Sequence, residues 1–170
     1  AAASRLGIYV SNCPGKNSIA VAELAMGLIC ALDRRIPDQV AALREGRWDK
    51  GTFSKGAPGL YGRTLGLLGL GQIGSTLAAR AEGFGMNVIA WSRSLTPEKA
   101  EELGVGYAAT PLDIARRADV VSVHVALKPE TRGLVGAEFL AAMQPGAMLI
   151  NTSRGEVVDE AALALAVRDK

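Results

Sequence analysis

Thr64-Leu65-Gly66-Leu67-Leu68 runs directly into Gly69-Leu70-Gly71-Gln72-Ile73-Gly74, and Ser75 to Ala81 follow as helix formers. A short aliphatic run closed by glycine predicts a strand; the segment after it has helical character. Strand, GxGxxG turn and helix in that order give each glycine a role. Gly69 permits the tight turn, Gly71 lets a pyrophosphate approach the backbone, and Gly74 lets the helix lie close on the strand. Ala78 and Ala81 fall on the same helix face as Gly74. The free N–H groups and the positive end of such a helix hold phosphates. Glycine turns also occur in α/β proteins without a nucleotide. The flanking strand and helix are what favour a dinucleotide here.

Working outward, strands are predicted at Asn87–Trp91, 120–125 and 147–151, with a weaker candidate at 105–108. Helices are predicted between them at Gln72–Gly83, 97–103, Pro111–Arg117 and 137–143, and a last one at 159–170. Thr110-Pro111-Leu112-Asp113 is a good helix start, with a capping hydroxyl, a proline in the first turn and an acid near the positive helix end. The strands are near-continuous aliphatic runs, as expected when helices cover both faces of a parallel sheet. The fold class is therefore α/β, a Rossmann-type doubly wound parallel sheet. Because the chain enters mid-fold and stops after a helix, the sheet is expected to be incomplete at both ends.

Residues 1–63 read as an interdomain region of strand, helix and loop, and residues 64–170 as the dinucleotide-binding domain. Within the first region a strand is expected at Gly7–Val10 and a helix from Ser18 to about Arg35, capped by Ser18 and ended or kinked by Pro37. That helix is apolar on most faces (Val21, Leu24, Leu28, Ile29, Leu32), so it is expected inside a core or a subunit interface. A more polar helix follows at 38–45, and residues 46–63 are expected to be loop.

Composition excludes several classes. The 170 residues carry 19 Lys+Arg against 17 Asp+Glu, a net charge of +2, which does not suit a nucleic-acid or anionic-membrane binder. The most apolar stretch, 19–32, contains Glu23 and is shorter than the roughly 20 residues that cross a bilayer. Cys13 and Cys30 make neither a disulfide framework nor a four-ligand zinc site; no metal is expected, and two reduced thiols fit a cytoplasmic protein.

About twenty residues beyond the glycines, β-strand 87–91 runs into Ser92-Arg93-Ser94, where an NAD site usually carries an acid on the ribose 2′-OH. Ser92 and Arg93 can bind a 2′-phosphate, which favours NADP, or tolerance of both coenzymes, over strict NAD use. A solvated Arg93 with NAD still used is the alternative. His124, the only histidine, sits at the carboxyl end of a strand, where ligands of open α/β sheets bind. It reads as a general acid or as a structural residue beside the coenzyme, the second being favoured. Arg154, in Asn151-Thr152-Ser153-Arg154-Gly155, places a cation at the same edge, suited to a substrate carboxylate; a surface ion pair is the competing reading. Lys128, Arg34, Arg35 and Trp48 read as surface or packing residues.

Four segments in order resemble the D-isomer-specific 2-hydroxyacid dehydrogenase family, especially its phosphoglycerate dehydrogenase-like members. They are Asn17-Ser18-Ile19-Ala20-Val21-Ala22-Glu23, the glycine fingerprint 66–74, Val123-His124 with Lys128-Pro129-Glu130-Thr131, and Asn151 through Asp159. The resemblance implies hydride transfer between a 2-hydroxy acid and its 2-keto acid, of the phosphoglycerate or glyoxylate/hydroxypyruvate type. It implies that Arg154 binds the substrate carboxylate and polarises the keto oxygen, and that Gln72 and Ile73 meet the pyrophosphate. Val125, Thr152 and Ser153 would lie along the nicotinamide side, and Asn17 would approach substrate as in formate dehydrogenase-like members. Helix 19–32 and the loop after it resemble the family's dimer contact, so a homodimer is expected.

Three departures stand out. Ser92 replaces the family's NAD-reading Asp. Ala126 replaces a usual Pro, which is expected to loosen that loop. The family's catalytic Glu and His lie beyond Arg154 and outside these 170 residues, as does most of the substrate domain; His124 matches a different motif. The 170-residue chain alone is therefore expected to lack turnover. A corepressor-like protein that binds NAD(H) as a regulatory ligand is the alternative to an enzyme.

Overall fold

The computed structural model describes residues 2–168; residues 169–170, the expected end of the last helix, lie outside it. Five strands form one sheet: β1 (Thr64–Leu68), β2 (Asn87–Trp91), β3 (Gly106–Tyr107), β4 (Val120–Val123) and β5 (Met148–Asn151). Their spatial order is β3-β2-β1-β4-β5 and every pairing is parallel. The order reverses between β1 and β4, so the doubly wound architecture has its switch point there, where such sheets open a crevice.

Leu68 pairs with Trp91 on one side and with Val123 on the other, which aligns three strand ends on one edge. The backbone ladder continues beyond them. Gly69 N–H donates to Trp91 O and His124 N–H donates to Leu68 O, each at 2.8 Å. This brings Gly69, Ser92 and His124 to a single edge of the sheet.

Alternation along the strands divides the core between two faces. Leu65, Leu67 and Val120 pack toward α2 (Ser18–Asp33) and α5 (Gln72–Gly83) with Ala25, Ile29, Leu77 and Ala81. Leu68, Val121 and Val123 pack toward α7 (Pro111–Arg117) and α8 (Ala137–Ala142) with Ile114, Val135 and Phe139. A Cβ on Gly66 would come within 2.5 Å of the Ile114 side chain and 2.7 Å of Ala118, so α7 lies directly on bare strand backbone. Thr110 and Asp113 form the expected capping box at its start.

The first 63 residues depart from expectation in four places. No strand forms at Gly7–Val10: residues 2–5 are α1 (Ala2–Arg5), and 8–13 have no regular structure. A strand needs a hydrogen-bonded neighbour, and Tyr9 and Val10 stand in solvent. Ser18 is the first residue of α2 rather than its cap; its hydroxyl donates to Gly15 O at 2.6 Å, and the cap position is Asn17. Pro37 lies in the first turn of α3 (Ile36–Arg44), where its missing N–H costs nothing, rather than ending α2. Within the stretch 46–63, Asp49 caps a short helix, α4 (Lys50–Ser54), by accepting from Thr52 N–H.

α2 is buried on one face only, through Ala22, Ala25, Met26 and Ile29; Ile19, Leu24 and Leu32 remain more than half exposed. Its carboxyl end is held by charge. Asp33, whose side chain is 1% exposed, pairs with Arg63 at 3.3 Å and Arg34 at 3.2 Å. Arg63 also donates to Asp119 O, and the Asp119 carboxylate accepts from Thr64 N–H at 2.7 Å. One network thereby ties α2 to the amino-terminal ends of β1 and β4. The remaining helices are α6 (Pro97–Glu102), before β3, and α9 (Glu160–Arg168), after β5.

Candidate functional site

Gly69 adopts φ +104°, and a Cβ there would come within 2.9 Å of the His124 carbonyl group. Neither the dihedral nor the space admits another residue. A Cβ on Gly74 would overlap the Gly69 carbonyl oxygen, so the first turn of α5 lies against the turn itself. Gly71 is different: its backbone is extended, and nothing lies within 4 Å of where its Cβ would be. The bare backbone there faces open space. Gly71 O accepts the Ser75 N–H at 2.9 Å and so opens the helix, leaving the first-turn amides without intrahelical acceptors. Open space, free amides and the helix's positive end fit a diphosphate.

A crevice of about 440 Å³ opens in front of this turn, walled by residues 69–71, by 91–94, and by Val125, Ala126, Lys128 and Thr131. It joins the ends of β1, β2 and β4, as the switch point requires. Ser92 and Arg93 form the β2 wall, and Arg93 Nη1 pairs with Glu130 Oε1 at 2.7 Å across the opening. Arg93 is thus paired, although its side chain stays exposed. Lys128, read from sequence as a surface or packing residue, belongs to the crevice wall.

The loop after β4 is pinned despite the absence of proline at Ala126. Buried Thr131 Oγ1 donates to Ala126 O at 2.7 Å and accepts from Lys128 N–H at 2.8 Å. His124 is half-buried, with Nε2 hydrogen-bonded to the fully buried Ser122 hydroxyl at 2.9 Å. Burial pushes its pKa down to about 4. The imidazole is therefore neutral near pH 7, which agrees with a structural residue beside the crevice rather than a general acid.

At the end of β5, Asn151 organises the turn that carries Arg154. Its side-chain oxygen accepts from Ser153 N–H at 3.0 Å and from Ser153 Oγ at 2.8 Å, while Nδ2 donates to Arg154 O at 2.9 Å. The Arg154 guanidinium is exposed and donates to Ser153 O; among the described residues no carboxylate pairs with it. The turn also buries Thr152 Oγ1 without a partner. Asn17 is exposed in the loop before α2. That loop reaches the fingerprint, since Gly15 packs so closely on the Gln72 side chain that any Cβ would overlap its amide.

Residues 26–170 match the family model for the D-isomer specific 2-hydroxyacid dehydrogenase, NAD binding domain. The chain belongs to this family. It carries the family's NAD-binding domain, and NAD(H) is the coenzyme class of that domain. It is 44% identical over 168 residues to a D-3-phosphoglycerate dehydrogenase of Methanocaldococcus jannaschii, covering 99% of this chain and 32% of the relative. It is 43% identical over 172 residues to a glyoxylate reductase of Thermococcus litoralis, covering 98% of this chain and 52% of the relative. Among solved structures, a Granulicella formate dehydrogenase superposes with TM-score 0.91 at 32% identity, covering 99% of this chain and 45% of that one. A Vibrio cholerae phosphoglycerate oxidoreductase gives 0.87 at 37%, covering 98% and 52%. The chain therefore spans between a third and a half of the length of these relatives.

Among the described residues no cluster of His, Cys, Asp and Glu could hold a metal, and no helix is long and apolar enough to cross a membrane. Three neighbours of the expected site were not singled out from sequence. Asn151 had a local signal, because an Asn side-chain oxygen accepts from the backbone N–H two residues on in an Asx-turn. Lys128 and Glu130 lie in a segment quoted for the family resemblance, but the pairing of Glu130 with Arg93 across 37 residues depends on the fold.

Proposed function

We propose that this chain is the coenzyme-binding part of an NAD(P)-dependent D-2-hydroxyacid dehydrogenase acting on phosphoglycerate or on glyoxylate and hydroxypyruvate. The observation that carries the reading is the bare Gly71 backbone, which faces open space at the positive end of α5. In this reading the amides of Gln72, Ile73 and Gly74 hold the diphosphate, with Gly69 and Gly71 giving it room. Ser92 and Arg93 meet the adenosine ribose, and both coenzymes bind, with Arg93 giving NADP the advantage. Val125, Thr152 and Ser153 line the nicotinamide side next to His124.

When bound, the nicotinamide supplies the hydride chemistry. Arg154 does the rest of what this chain contributes. Among the described residues no carboxylate pairs with its exposed guanidinium, which is proposed to grip a substrate carboxylate and to draw charge toward the keto oxygen. Asn17 is proposed to approach the substrate from the loop before α2. His124 is proposed as a structural residue beside the coenzyme, its Nε2 hydrogen-bonded to the buried Ser122 hydroxyl. A homodimer is proposed through the uncovered α2 face and the apolar groove beside it, of about 540 Å³, that includes Ile36, Val40, Leu43, Trp48 and Phe53. The two free thiols, Cys13 and Cys30, support a cytoplasmic location.

The test is turnover of the full-length gene product with hydroxypyruvate, glyoxylate and D-3-phosphoglycerate, using both coenzymes. The reading expects turnover on at least one of them, and Arg154→Ala lowering kcat/KM by about a thousandfold. NADH binding without turnover on any 2-keto acid would point instead to a regulatory NAD(H)-binding protein.

A further inference from the structure

We propose that Glu130 is a specificity residue that restrains the preference for a 2′-phosphorylated coenzyme by neutralising Arg93. The proposal rests on the coenzyme-site reading above. In an NAD-selective site the negative charge comes from the end of β2 itself. Here that end offers only Ser92, Arg93 and Ser94, and none of the residues that wall the crevice is acidic. The carboxylate comes from just outside that lining: Glu130, in the 3₁₀ turn Pro129–Thr131 between Lys128 and the wall residue Thr131, pairs with Arg93 at 2.7 Å.

The turn that carries Glu130 is anchored. Thr131, the residue after Glu130, is buried and bonded to Ala126 O and to both backbone groups of Lys128. The Arg93 and Glu130 side chains themselves are 58% and 49% exposed. A pair so wet adds little to stability, so losing it costs the fold little. Its electrostatic effect on a ligand is larger. A 2′-phosphate that docks on Arg93 must either displace Glu130 or accept a carboxylate one guanidinium-width away, and like charges at that range repel. A ribose 2′-OH meets no such penalty and can donate to the same carboxylate. Glu130 therefore does from beside the crevice part of what an acid on β2 does elsewhere, and Lys128 beside it remains as the second cation.

Calorimetric titration of the chain with ADP and with adenosine 2′,5′-bisphosphate separates these effects. Glu130→Gln is expected to raise affinity for the bisphosphate about tenfold while ADP affinity stays within about twofold. Most of that gain is expected to vanish when Arg93 is already Ala, because the two residues act as one unit. Equal changes for both ligands, or no change for either, would overturn the proposal and make the pair a plain clasp or a surface contact. Binding of neither ligand by the unaltered chain would overturn the coenzyme-site reading and this proposal with it.

Discussion

A β-carbon on Gly74 would overlap the carbonyl oxygen of Gly69, and Gly69 cannot withdraw. A Cβ on Gly69 would in turn come within 2.9 Å of the His124 carbonyl group, and the His124 N–H is hydrogen-bonded to Leu68 O at 2.8 Å. The fingerprint is thus a stack of three backbones: helix, turn and the neighbouring strand end. Gly74→Ala is expected to cost about 3 kcal/mol, because neither partner can give way. Urea unfolding checks this; a change below about 0.5 kcal/mol would show that the stack is loose.

His124 gives a pH signature that can be read directly, because it is the only histidine. Burial lowers its native pKa from 6.5 to about 4. As pH falls the unfolded state takes up the proton first, so the contribution to stability is complete above pH 6.5 and is lost progressively toward pH 4. The loss over that window is about 3 kcal/mol at most. The imidazole proton resonance is expected to titrate near 4, and a midpoint near 6.5 would refute the buried neutral state.

Asp33 is buried with Arg63 beside it at 3.3 Å, far from the crevice. Arg63→Ala leaves that carboxylate with only the exposed Arg34, and is expected to cost about 3 kcal/mol. Asp33→Asn in the same background should recover part of the loss. Thermal unfolding of the two variants decides; equal stability of Arg63→Ala and the unaltered chain would remove the network from the account.

Asn151 makes three hydrogen bonds within the Arg154 turn. Asn151→Ala is expected to cost about 1–2 kcal/mol and to speed exchange of the Ser153 amide. In the full-length product it should raise KM for the keto acid more than it lowers kcat. Unchanged exchange at Ser153 would mean that the turn holds itself.

The legibility of this chain follows how local each signal is. β1, β2, α5 and α7 match their expected limits because capping, glycine and apolar runs act within a few residues. The Gly7–Val10 strand failed for the opposite reason: its sequence is apolar enough, but no strand edge is there to pair with it. The uncovered face of α2 was legible as apolar but not as exposed, since its composition reads the same in a core and at a surface. In the site, Gly69, Gly71, Ser92 and Arg93 stand around one crevice, and Gly74 packs behind them on the Gly69 carbonyl. Glu130 was not legible as Arg93's partner, because only the crossing of β1 between them brings the two walls together.

If open backbone at Gly71 receives the coenzyme diphosphate, NADH titration of Gly71→Ala beside the unaltered chain will show it. The fold has room for that methyl group, with nothing within 4 Å, so the variant should unfold at nearly the same urea concentration. The account predicts that NADH affinity nonetheless falls by about thirtyfold or more. An equally stable Gly71→Ala chain that binds NADH as tightly as the unaltered one would contradict it.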